Sequence, residues 1–104
     1  MNTFEERETA FEAKFALDEE RQFLARMRRN RFVAVWASTL KGETVEQARK
    51  FGREVVKKDL KEVGDDDVVE VVLAYLGNLS DEATVRTKLS EFMAEAKFQM
   101  MQEL

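Results

Sequence analysis

The sequence predicts an all-α fold: a four-helix bundle with an extended, mobile N-terminal arm that continues helix one. Three observations carry this reading. The 104 residues include no proline and only four glycines, so nothing forces a break over long stretches. Apolar residues recur at three- and four-residue steps, the period of a helix buried on one face. Helix-start pairs and glycine stops alternate along the chain. A composition 44% hydrophobic and 37% charged suits one compact domain with a densely ionic surface.

The elements follow in order. Thr3 with Glu6 reads as a capping box opening helix one, and Gly42 is the first stop signal after it. Thr44 with Gln47 is a second capping box. Helix two then runs to about Glu62 and stops at Gly64. Asp65, Asp66 and Asp67 mark the next N-terminus, with Asp67 and Glu70 in box spacing. Helix three carries Val68, Val71, Val72 and Tyr75 and ends at Gly77. Its valines are too few, and too closely flanked by helix, to make a strand. Ser80 caps helix four, with Asp81 and Glu82 in the first turn. Val85, Leu89, Phe92, Met93, Ala96 and Met100 form its stripe.

Length then becomes informative. At 1.5 Å per residue, helix two spans roughly 27 Å and helix four roughly 33 Å, whereas helix one, from Phe4 to Lys41, spans roughly 57 Å. Its partners reach only about half of it. The C-terminal half, with Leu24, Met27, Phe32, Val35, Trp36 and Leu40, is the covered half. Residues up to about Glu20 overhang. Phe4, Phe11 and Phe15 fall within about 40° of one another on that overhang. An aromatic stripe without packing partners is expected to be mobile when free and to order on another molecule. The chain therefore divides into an arm, residues 1–20, and a bundle, residues 21–104. Charge divides it at the same place: residues 1–20 carry seven acids and two bases, and residues 21–31 five arginines and no acid.

Composition excludes several functions. The chain has no cysteine and no histidine, which removes disulfides, zinc fingers, thiol nucleophiles and histidine acid–base chemistry. No stretch approaches the ~20 apolar residues of a membrane span. The acidic start lacks the pattern of a signal peptide, so a cytoplasmic location without membrane insertion is expected. The net charge of −4 argues against nucleic acid as a general partner. Glu19 and Glu20 point about 100° apart on a helix and form no shared catalytic pair, so no enzyme activity is expected. The Asp65–Asp67 run does not reproduce a calcium loop. It reads as helix capping, and no metal is expected.

The segments FEERETAFEAKFALDEE (Phe4 to Glu20), ARMRRNR (Ala25 to Arg31) and VWA (Val35 to Ala37) resemble the zeta-subunit family, inhibitors of the F-type ATP synthase in alphaproteobacteria. REVVKKDL (Arg53 to Leu60) and GDDDV (Gly64 to Val68) extend the similarity. Leu17 departs from the family pattern, where a polar residue is expected. The resemblance implies an all-helical regulatory protein whose N-terminal segment enters the interface between the alpha and beta subunits of the catalytic head, near the gamma rotor. There it blocks rotation in the hydrolytic direction. The protein is then peripheral to the inner membrane through the synthase. The implied partner-binding residues are Phe4, Arg7, Phe11, Lys14, Phe15, Asp18 and Glu19.

The resemblance also implies adenine-nucleotide binding by the bundle. Arg28 and Arg29 offer forks that match phosphate oxygens, and Trp36 lies about two turns further on. These three are the nucleotide-site candidates, although Trp36 also reads as core and the arginines as a solvated face. No Walker-type glycine loop is present, so ADP or ATP would be a regulatory ligand and no cofactor is required. The alternative function is a nucleic-acid-binding bundle using the basic run from Arg21 to Arg31.

Overall fold

A computed structural model describes residues 3–62 and 64–103. The described residues form five α-helices and no strand: α1 (Thr3–Leu17), α2 (Glu19–Leu40), α3 (Val45–Asp59), α4 (Asp66–Leu76) and α5 (Glu82–Gln102), with a 3-10 turn at Gly77–Leu79 after α4. α2 is the central element and packs along both α3 and α5, while α4 lies against α3 and α5.

The all-α class is as expected, but the helix count is not. The single helix expected from Phe4 to Lys41 is two helices. Asp18 adopts an extended backbone at the junction, and its side chain accepts a hydrogen bond from the Arg21 N–H at 3.1 Å. On the other side, Gln22 Nε2 donates to the carbonyls of Phe15 and Ala16 at 3.3 and 2.9 Å. The corner thus closes one helix and caps the next, so breaking the helix leaves few orphan backbone groups. Only as a straight rod would helix one leave its first half uncovered. Burying two aromatic rings contributes about 3–6 kcal/mol in all, which favours the bend.

Other ends differ in detail. Thr3 is the first residue of α1 and not a cap outside it. α3 stops at Asp59, before Glu62. α4 begins one residue after Asp65, whose side chain makes no cap bond, so Asp67 lies inside the helix and forms no box. Asp81, not Ser80, caps α5 and accepts from the Thr84 N–H at 2.7 Å. The Thr44–Gln47 box is present with both reciprocal bonds. Gly42 stops α2 as expected. At φ +68° it closes a Schellman motif, in which the Gly42 N–H reaches the Thr39 carbonyl and the Glu43 N–H the Ser38 carbonyl.

The main core joins Val33, Ala34 and Ala37 of α2, Phe51 and Val55 of α3, four α4 residues (Val68, Val69, Val72, Leu76), and Val85 and Leu89 of α5. The valine run is helical because its buried members share one face. Phe51 stacks on Tyr75 with centroids 3.6 Å apart. α2 meets its neighbours through small residues, so Leu24, Val35 and Leu40, expected in the core, stay exposed, and Trp36 packs at the core edge. Gly52 is buried, yet a Cβ there would meet the Ala34 Cβ at 3.6 Å, an ordinary contact. The helix approach therefore does not require glycine, which makes Gly52 a weak point in the helix.

Candidate partner-binding site

α1 is an acidic helix, with Glu5 and Glu6 in the first turn and Lys14 in the last, an order that suits the helix dipole. Of its fifteen side chains only Phe11 and Phe15 are buried, each 4% exposed. The two rings join a second cluster with Ala25 of α2 and Ala96, Met100 and Met101 of α5, flanked by Phe32 and Met93. Lys97 Nζ sits 4.9 Å from the Phe15 ring centroid, within cation–π range. The aromatic stripe thus has a seat on the protein's own body. This corrects the expectation that the bundle cannot reach it.

The seat is incompletely filled. Beside Phe11, a cleft of about 640 Å³ opens between α1 and α5, with Glu8 and Glu12 on one wall and Ser90, Lys97 and Phe98 on the other. Glu8 and Glu12 form no ion pair across it among the described residues. Phe4 is 52% exposed, and Leu17, at the corner, 89%. Of the other partner-binding candidates, Arg7 and Lys14 are exposed on α1 and Glu19 on the first turn of α2, while Asp18 is the half-buried cap. The structure therefore gathers Phe11 and Phe15, leaves Phe4 outside, and uses Asp18 as a corner.

The arginine run is not a solvated face. Four of its five members are ion-paired. Arg21 meets Asp18 at 3.4 Å, Arg26 meets Asp59 at 2.9 Å, and Arg28 donates twice to Glu103 at 2.7 and 3.1 Å. Arg29 is buried and reaches Asp65 at 2.7 Å and Asp59 at 3.7 Å. Asn30 completes a buried network, donating to Asp59 at 2.8 Å and accepting from Arg29. The Arg28 hydrogen bonds hold the Glu103 carboxyl below the usual carboxylate range, and the same pair raises the Arg28 guanidinium. Arg28, Arg29 and Trp36 do not share a pocket: Arg28 faces the end of α5, Arg29 the network, and Trp36 the main core. Among the described residues no group of three acidic side chains is placed to hold a metal ion.

Sequence reasoning missed Asp59, Glu103, Met101 and Lys97. Asp59 is the instructive omission. An acid at the end of an amphipathic helix reads as surface, and only the fold shows it facing two arginines.

A family model described as ATPase inhibitor subunit zeta matches residues 1–99. A structure solved by solution NMR is similar at TM-score 0.72 and 41% sequence identity, over 80% of this chain and 98% of that chain. None of the curated proteins compared matches the chain.

Proposed function

The chain belongs to the ATPase inhibitor subunit zeta family, and from that premise we propose that it restrains ATP hydrolysis by swinging α1 off its seat and into the synthase. The corner at Leu17 and Asp18 is the hinge. Phe11 and Phe15 exchange their seat on Ala25, Met100 and Met101 for an apolar floor at the alpha/beta interface near the gamma subunit. Phe4, exposed already, adds a third anchor. Arg7, Lys14, Asp18 and Glu19 supply the polar edge of that contact. Residues 1–20 then act as the arm and residues 21–104 as its carrier. The protein works at the cytoplasmic side of the inner membrane through the synthase; no described helix is long and apolar enough to cross a membrane itself.

The observation that carries this reading is the thin attachment of α1: two rings hold a fifteen-residue helix over an open cleft. A short helix released from such a seat is marginal alone and gains order from a partner. Adenine nucleotide is a regulatory ligand in the same proposal. Arg28 is its more accessible arginine, since Arg29 is buried, and a phosphate would compete with Glu103 for the Arg28 fork.

The test is the double substitution Phe11→Ser/Phe15→Ser, assayed for inhibition of ATP hydrolysis beside urea unfolding. The main core contains neither ring, so α2 to α5 should still unfold cooperatively. Inhibition should weaken by about tenfold for each 1.4 kcal/mol by which the rings' burial at the partner exceeds their burial at the seat. Undiminished inhibition would remove the rings from the mechanism.

A further inference from the structure

A second feature shares no lining residue with the α1 seat. Between α2 and α3 runs a groove of about 600 Å³. Its floor is Val45, Gly52 and Val56 of α3 with Leu60 at the helix's C-cap, spaced seven and four residues apart and hence one stripe. Ala34 and Val35 of α2 form the other side. Val35, Val45 and Leu60 are each more than half exposed. Arg49, Arg53 and Lys57, at four-residue steps, line the α3 edge, and Arg31 the α2 edge. Among the described residues no acidic side chain lines the groove. Unlike Arg26, Arg28 and Arg29, these four cations have no hydrogen bond or ion pair among the described residues.

We infer that this groove docks an acidic amphipathic helix presented by the ATPase, a second grip beside the α1 arm. Identifying the partner as the ATPase rests on the function proposed above. The physical match is with a helix that carries carboxylates on both flanks of an apolar stripe. The floor from Val45 to Leu60 spans about 22 Å, or about four turns of such a helix. Small residues at its middle, Ala34 and Gly52, let a third helix approach to the usual 8–10 Å. Arginine forks on both edges meet carboxylates in a bidentate geometry that a single lysine row would not offer.

The test uses the full chain and the purified ATPase. Arg49→Glu/Arg53→Glu alters two exposed side chains and leaves α1 untouched. Affinity for the ATPase at low salt should fall about tenfold, mainly through slower association, and its dependence on salt should flatten. Carbodiimide, which joins amines to carboxylates in direct contact, should link Lys57 to an Asp or Glu on a helix of the ATPase. Unchanged affinity in the double variant overturns the proposal. So does a Lys57 link to a second copy of this chain, or charge-dependent binding to phosphatidylglycerol vesicles with ATPase affinity unaltered. The Phe11→Ser/Phe15→Ser result is read separately. If that variant still inhibits, the arm reading fails, while the groove is judged on its own affinity and cross-link.

Discussion

Phe11 and Phe15 lie with ring centroids 5.7 Å apart, tilted by 43°, and they are the two buried residues of α1. Any function that needs these rings elsewhere must first take them from Met100 and Met101. The free protein therefore holds its arm in a self-bound state. On the proposed mechanism its apparent affinity for the synthase is the intrinsic affinity multiplied by the fraction of chains with α1 undocked.

Weakening the seat should therefore strengthen inhibition. Met101→Ala removes contacts under the rings without altering α1. Each 1.4 kcal/mol lost from the seat raises the undocked fraction about tenfold while that fraction is small. The expected outcome is faster amide exchange over 3–17 together with a lower inhibitory concentration. Faster exchange with unchanged potency would mean that docking does not limit inhibition.

The Asp59 network should dominate the stability of the α2–α3–α4 junction. Asp59 is 1% exposed and faces Arg26 and the buried Arg29. Removing one partner of a buried ion pair costs about 3–5 kcal/mol. Asp59→Ala should fall near the lower end, because Arg26 reaches solvent and Arg29 keeps Asp65. Urea unfolding of Asp59→Ala and Asp59→Asn checks this. A loss below about 1 kcal/mol would make the network a surface one in energetic terms.

Tyr75 links stability to alkaline pH. Partial removal from water, then a hydrogen bond to Glu43, raise the phenol above its ordinary value. The folded state thus favours the neutral ring. Its contribution is complete below the unfolded value of about 10 and is lost as pH rises through the folded value. The chain has one tyrosine, so phenolate absorbance reports Tyr75 alone. The midpoint should lie above 10, and Tyr75→Phe should flatten the alkaline fall in melting temperature. A midpoint at or below the ordinary value contradicts the assignment.

Much of this was legible in the sequence, and the gaps have physical causes. The Thr44–Gln47 box and the Gly42 stop were readable because capping is local. The α1–α2 corner was marked by the same local signals: Asp18 precedes an acidic first turn, Glu19 and Glu20, at the point where charge reverses. With no glycine or proline there, the sequence pattern favours an unbroken helix. The network from Arg29 to Asp59 joins residues far apart in sequence, and no periodicity marks a buried acid for what it pairs with. The fate of Phe11 and Phe15 depended on the direction of one corner, which decides whether the stripe faces α5 or solvent.

The most direct test of the undocking account is to tether α1 reversibly to α5. The chain has no cysteine, so Glu8→Cys and Ala94→Cys, which line one cleft, can be joined by a short reducible bis-maleimide. Inhibition of ATP hydrolysis is then measured before and after the linker is cleaved. The tethered protein is expected not to inhibit, and cleavage to restore inhibition. A tethered protein that inhibits as well as the cleaved one would contradict it, because α1 would then act without leaving its seat.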